Sequence, residues 1–159
     1  FLREKITFIY ELYLIENYNE MSESIYCQAH LNGDSQEIKV SEIIEAFLPY
    51  VVRTDEFGFE VEYDELNSSF VYVDVTDETC SSFSISQPCA DKRLYMSIFK
   101  CLKLGNIISY WSDGDKFYIT NQTTINHIPS EMNEFLNNED VQLIVVNTID
   151  DYLRELGYA

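Results

Sequence analysis

Between Arg53 and Lys92 the chain has no basic residue, yet Asp55, Glu56, Glu60, Glu62, Asp64, Glu65, Asp74, Asp77, Glu78 and Asp91 all fall in that interval. Carboxylates this dense can hold a divalent cation, act as an acid–base pair, or meet a cationic macromolecule. The first two need further groups that the sequence does not supply. Asp113-Gly114-Asp115 looks like a fragment of a calcium loop, but the closing Glu is missing and the stretch reads as a hairpin turn. Cys27-x-x-His30 has ligand-like spacing, but on a strand the two side chains point to opposite faces and no second pair follows. There is no Gly-rich phosphate loop, GxSxG or HExxH, and His30 and His127 are the only histidines. The expectation is therefore no catalytic residue, no metal and no cofactor. A carboxylate-based, metal-dependent hydrolase is the weaker enzymatic alternative.

Meeting a cationic partner requires the acids to share a surface. Residues 57–63 (FGFEVEY) and 69–76 (SFVYVDVT) alternate as strands, joined by a hairpin turn at 65–68. In that register Phe57, Phe59, Val61 and Tyr63 face the core, while Glu60, Glu62 and Asp64 project together, about 6.6–7 Å apart at each step. On the return strand the valines face inward, and Phe70, Tyr72, Asp74 and Thr76 share the other face. The partner-binding set expected from this reading is Asp55, Glu56, Glu60, Glu62, Asp64, Tyr72, Asp74, Asp77 and Glu78. Tyr72 would be the aromatic anchor. Opposed like charges on adjacent strands cost a few tenths to about 1 kcal/mol per pair. A partner supplying the missing positive charge offsets that cost.

The remaining elements form the scaffold. Residues 5–16 (KITFIYELYLIE) fit a strand or a helix equally well. Residues 24–31 alternate, with Ile25, Cys27, Ala29 and Leu31 on one face. Asn32-Gly33-Asp34 then turns the chain into a return strand at 37–40. Ser41 looks like the N-cap of a short helix ending near Pro49. SFSIS (82–86) is a further strand. Residues 90–104 make the best helix, with Lys92, Met96, Lys100 and Lys103 on its outer face. A hairpin follows over 106–121, then a short helix from Ser130 to Leu136. The apolar run VQLIVV (141–146) reads as a central strand buried on both faces, and Thr148 caps a last helix that Gly157 ends.

The whole chain has 159 residues, 46% apolar, with 12 Tyr, 10 Phe, few Gly or Pro, and a formal charge of −18. That composition excludes a disordered or low-complexity chain. The charge disfavours direct binding to nucleic acid or to anionic lipid. No uncharged apolar stretch is long enough to cross a membrane as a helix. Of the four cysteines, Cys80 and Cys89 are the only pair placed to bridge. The chain opens at Phe1 without Met, which fits a trimmed start or a removed leader, and a cytoplasmic location is expected. The fold expected is a single α+β domain over 1–159, with a mixed, mostly antiparallel sheet and three to four helices. The function expected is that of an acidic, non-enzymatic binding protein that neutralises a basic protein. Its natural class is a bacterial immunity or inhibitor protein occluding the cationic groove of a toxin nuclease or another nucleic-acid-binding enzyme. A structural or regulatory assembly domain, as a homodimer, is the alternative.

Overall fold

Strand β1 (Ser24–Leu31) buries Ile25, Cys27 and Ala29 on one face and half-buries Tyr26, Gln28 and His30 on the other. Leu31 departs from the expected face pattern and is exposed, because it flanks the turn. Asn32 (φ 52°) and Gly33 (φ 86°) both take positive φ, the backbone of a tight hairpin turn, and lead into β2 (Asp34–Ser35). The computed structural model describes residues 23–158, so the ambiguous 5–16 segment lies outside the described residues.

The expected return strand at 37–40 is replaced by two shorter features. Strand β3 (Ile38–Lys39) leaves β1 and pairs with β7 (Thr79–Cys80) in a separate two-stranded ribbon. Helix α1 (Val40–Phe47) then begins at Val40, so Ser41 lies inside it and Lys39 occupies the cap without a side-chain bond. Two long-range demands outweigh the local capping preference. Val40 is buried, and its N–H donates to the carbonyl of Glu78.

Strand β4 (Val51–Asp55) has no apolar alternation and its residues past Val51 are exposed, which hides it from a periodicity reading. It forms a hairpin with β5 (Gly58–Asp64) through Glu56-Phe57. Phe57 therefore sits in that turn, 65% exposed, and not in the core. Strand β6 (Asn67–Tyr72) pairs with β5, and β8 (Ser82–Ser86) pairs with both β6 and β1. Helix α2 (Lys92–Leu102) leads to the hairpin β9 (Ile107–Trp111) and β10 (Lys116–Ile119). A 3-10 turn (Gln122–Asn126), α3 (Ser130–Leu136), β11 (Gln142–Val145) and α4 (Ile149–Glu155) complete the order.

The main sheet runs β11-β10-β9-β1-β8-β6-β5-β4, with β2 attached to β1. Every pairing is antiparallel except β10 with β11, so the fold is α+β with a mostly antiparallel mixed sheet and four helices among the described residues. Among the described strands β11 is an edge, not the central one its apolar run suggested. Its apolarity has another cause: Leu143 and Val145 join the apolar cluster on one sheet face, and Ile144 joins the cluster on the other.

Helices α1, α2 and α4 all bury side chains in the large core against one face of the sheet. α3 covers the opposite face over β9 and β10, where Ile108, Tyr110, Phe117 and Ile119 meet Ile128, Met132 and Leu136. The outer residues of α2, Lys92, Met96, Lys100 and Lys103, are exposed as the helical spacing requires. Thr148 and Asp151 form a reciprocal capping box on α4, and Gly157 takes φ 86° beyond its end. All four cysteines are free thiols. Cys80 and Cys89 lie beyond opposite ends of β8, whose five residues span roughly 13 Å, too far for a disulfide. Burial pushes the Cys27 thiol up to about 12, so it behaves as a small apolar side chain.

Candidate functional site

Among the described residues the second face of the sheet is covered unevenly. Cross-strand register carries one row of side chains over it: Tyr72 beside Ser84, Ser84 beside Tyr26, Tyr26 beside Tyr110, and Tyr110 beside Phe117. Tyr110 and Phe117 are buried in the α3 cluster. Tyr72, at the other end, is 48% exposed and tilts against Phe70 with ring centroids 4.6 Å apart. A parallel row joins Arg53, Glu60, Phe70, Ser86 and Ser24. Between the aromatic pair on β6 and Tyr26 on β1, strand β8 offers only Ser82, Ser84 and Ser86 on this face. The result is a shallow serine-floored strip with aromatic side chains on both flanks and carboxylates beyond Phe70.

The structure divides the acids expected there. Glu60 and Glu62 lie on this face of β5, as the alternation required. Glu62 is exposed and makes no ion pair among the described residues, while Glu60 meets Arg53 at 3.4 Å across the β4–β5 pair. Asp55 and Glu56 sit at the β4–β5 turn, the end of the hairpin where Tyr72 opposes Gly58. Asp64 lies at the other end. Asp74, Asp77 and Glu78 follow β6 in the exposed loop that leads to β7.

Several of these carboxylates have structural work. Asp55 accepts the N–H of Phe57 at 2.9 Å and so closes its turn. Asp64 accepts the N–H groups of Leu66 and Asn67 and the Asn67 side-chain amide, and these bonds hold its carboxyl below the usual range. Asp74 accepts the Thr76 hydroxyl at 2.6 Å and the Thr76 N–H, with the same effect on its carboxyl. Glu56, Glu62, Asp77 and Glu78 have no such side-chain bond and no ion pair among the described residues, so their charge is available to a partner. The ribbon is thus continuous in sequence but not in role.

Arg93 was absent from the expected site. Its guanidinium forks onto Asp91 (Nε to Oδ1 2.9 Å, Nη2 to Oδ2 2.6 Å) and reaches Asp64 at 3.6 Å. It also lies over the rings of Tyr50 and Tyr63, at 5.6 and 5.3 Å. The Asp-x-Arg spacing at a helix start was visible in sequence, but nothing local places Tyr50, Tyr63 and Asp64 around it. The serines of β8 were visible too, as alternate residues of a strand whose Phe83 and Ile85 are buried.

Among the described residues no cluster of three His, Cys, Asp or Glu side chains is placed to hold a metal. Cys27 is buried in the main core while His30, on the opposite face of β1, is half-buried, and desolvation lowers the imidazole pKa. Comparison with protein-family models, with curated proteins and with solved structures finds no match to this chain.

Proposed function

We propose that this chain is an acidic, non-enzymatic binding protein that neutralises a basic protein, in the manner of a bacterial immunity protein occluding the cationic groove of a toxin nuclease. One observation carries the reading. The half of the sheet face over β5, β6 and β8 has no described helix packed on it, and it presents Glu60, Glu62 and Tyr72 together. Tyr72 with Phe70 offers a rigid aromatic anchor, and the carboxylates supply the field that steers a cationic partner. Asp55, Glu56, Asp74, Asp77 and Glu78 extend that field around the end of the hairpin. The free thiols fit a reducing compartment, which supports a cytoplasmic site of action.

The test uses a purified cationic nuclease domain cutting DNA. The protein should bind it and block cleavage, with affinity falling as salt is raised. Glu60→Lys with Glu62→Lys should lower affinity at least about tenfold, since two reversed charges at a desolvated contact exceed about 1.4 kcal/mol. The melting temperature should barely change. Undiminished inhibition by that double variant, or no association with any cationic nuclease tested at low salt, would overturn the reading.

A further inference from the structure

We infer that two copies of this chain pair through β4, edge to edge and antiparallel, with Thr54 on the two-fold axis. This inference is independent of the basic partner proposed above.

Among the described residues β4 ends the main sheet and pairs only with β5, so no described strand takes up its outer backbone edge. Open edges invite another strand. Asp55 pairs with Gly58 across a two-residue turn, and Thr54 pairs with Phe59. A pair flanking such a turn is hydrogen-bonded, so by the alternation of an antiparallel ladder the amide and carbonyl of Thr54 point to the open edge. Thr54 and its neighbours are exposed.

The side chains select the occupant. Arg53 and Asp55 flank Thr54 and share one face, because each pairs with a residue of the same parity on β5, Glu60 and Gly58. Antiparallel pairing centred on Thr54 brings Arg53 of each copy opposite Asp55 of the other, giving two complementary charge pairs from one sequence. A strand with like charges at these positions is repelled, so the same residues that guard the edge against other chains suit a second copy. Exposed apolar groups frame the contact: Phe57 is 65% and Val52 55% exposed, and the same register brings Phe57 to the Val51–Val52 stretch of the second copy. The β-bulge between Val51 and Arg53 limits the regular pairing to the Arg53–Asp55 core. A short contact of this kind makes a weak, concentration-dependent dimer.

Charge reversal gives a self-checking experiment on the full chain by sedimentation. The unsubstituted protein should shift from monomer to dimer between micromolar and near-millimolar concentration. Arg53→Asp and Asp55→Arg should each remain monomeric, since each opposes like charges. Mixed in equal amounts they should recover the dimer, because every opposed pair is then complementary. A second variant needs no charge change. Thr54→Cys should give a dimer under mild oxidation, linked at position 54 by peptide mapping, since residues opposed in a hydrogen-bonded pair sit about 5.5 Å apart at Cα. Glu62→Cys, also exposed but one strand inboard, should not. A wild-type monomer throughout, single variants that still dimerise, or a mixture that stays monomeric would each overturn the inference.

Discussion

Asp91 and Arg93 stand where the acidic stretch meets α2, and together they do two things. The Asp91 carboxylate accepts the N–H of Arg93 and so caps the helix, and it also grips the guanidinium that screens Asp64. Replacing Asp91 by Ala should cost about 0.5–2 kcal/mol from the lost cap, measured by denaturant unfolding. The same variant should change the acid limb of stability. Hydrogen bonding to Arg93 holds the Asp91 carboxyl below its usual range. Its contribution is therefore full above the unfolded value of about 3.9 and is lost as pH falls through the lower folded value. Asp91→Ala should flatten that part of the profile; an unchanged acid limb would show that the fork adds nothing to stability. Glu62→Lys, by contrast, touches no described partner and should stay within about 0.5 kcal/mol of the parent.

The β5–β6 hairpin positions the exposed acids, and its geometry depends on Gly58. A Cβ there would lie 1.9 Å from the carbonyl oxygen of Val71, and the residue holds φ +153°. Gly58→Ala should destabilise the fold by at least about 2 kcal/mol, because backbone must move on both strands. Loss of binding by that variant would follow from a displaced Glu60–Tyr72 surface, whereas a folded variant with parental stability would contradict the close approach. Much of this hairpin was legible in advance. Phe59, Val61 and Val71 are fully buried, as the two-residue alternation required. The partner strand β4 was not legible, since an edge strand with solvent on its residues carries no apolar repeat. Ser41 misled for a related reason. Its capping chemistry is real, but the demand to bury Val40 moved the helix start two residues earlier, with Lys39 in place of Ser41 at the cap.

At the scale of the molecule the net charge of −18 dominates. Few described ion pairs offset it: Arg53 with Glu60, Arg93 with Asp64 and Asp91, and Arg154 with Asp151. Self-repulsion should therefore be relieved by screening, and the melting temperature should rise with sodium chloride, whereas the proposed affinity for a cationic nuclease should fall. A melting temperature that fell with salt would mean the surface is already balanced. The amino-acid sequence by itself determined the sign of the field, the inward and outward residues of β1 (Leu31 at its turn excepted), β5 and β6, the presence of α2, and the capped ends of α4, because periodicity and capping act over a few neighbouring residues. Only the tertiary structure decided that β11 and β4 are the edges of the described sheet, that α3 covers one half of the outer face and leaves Glu62 and Tyr72 on the other, and that Arg93 sits between Tyr50, Tyr63 and Asp64. Those outcomes depend on which distant strands become neighbours, and no local pattern records that choice.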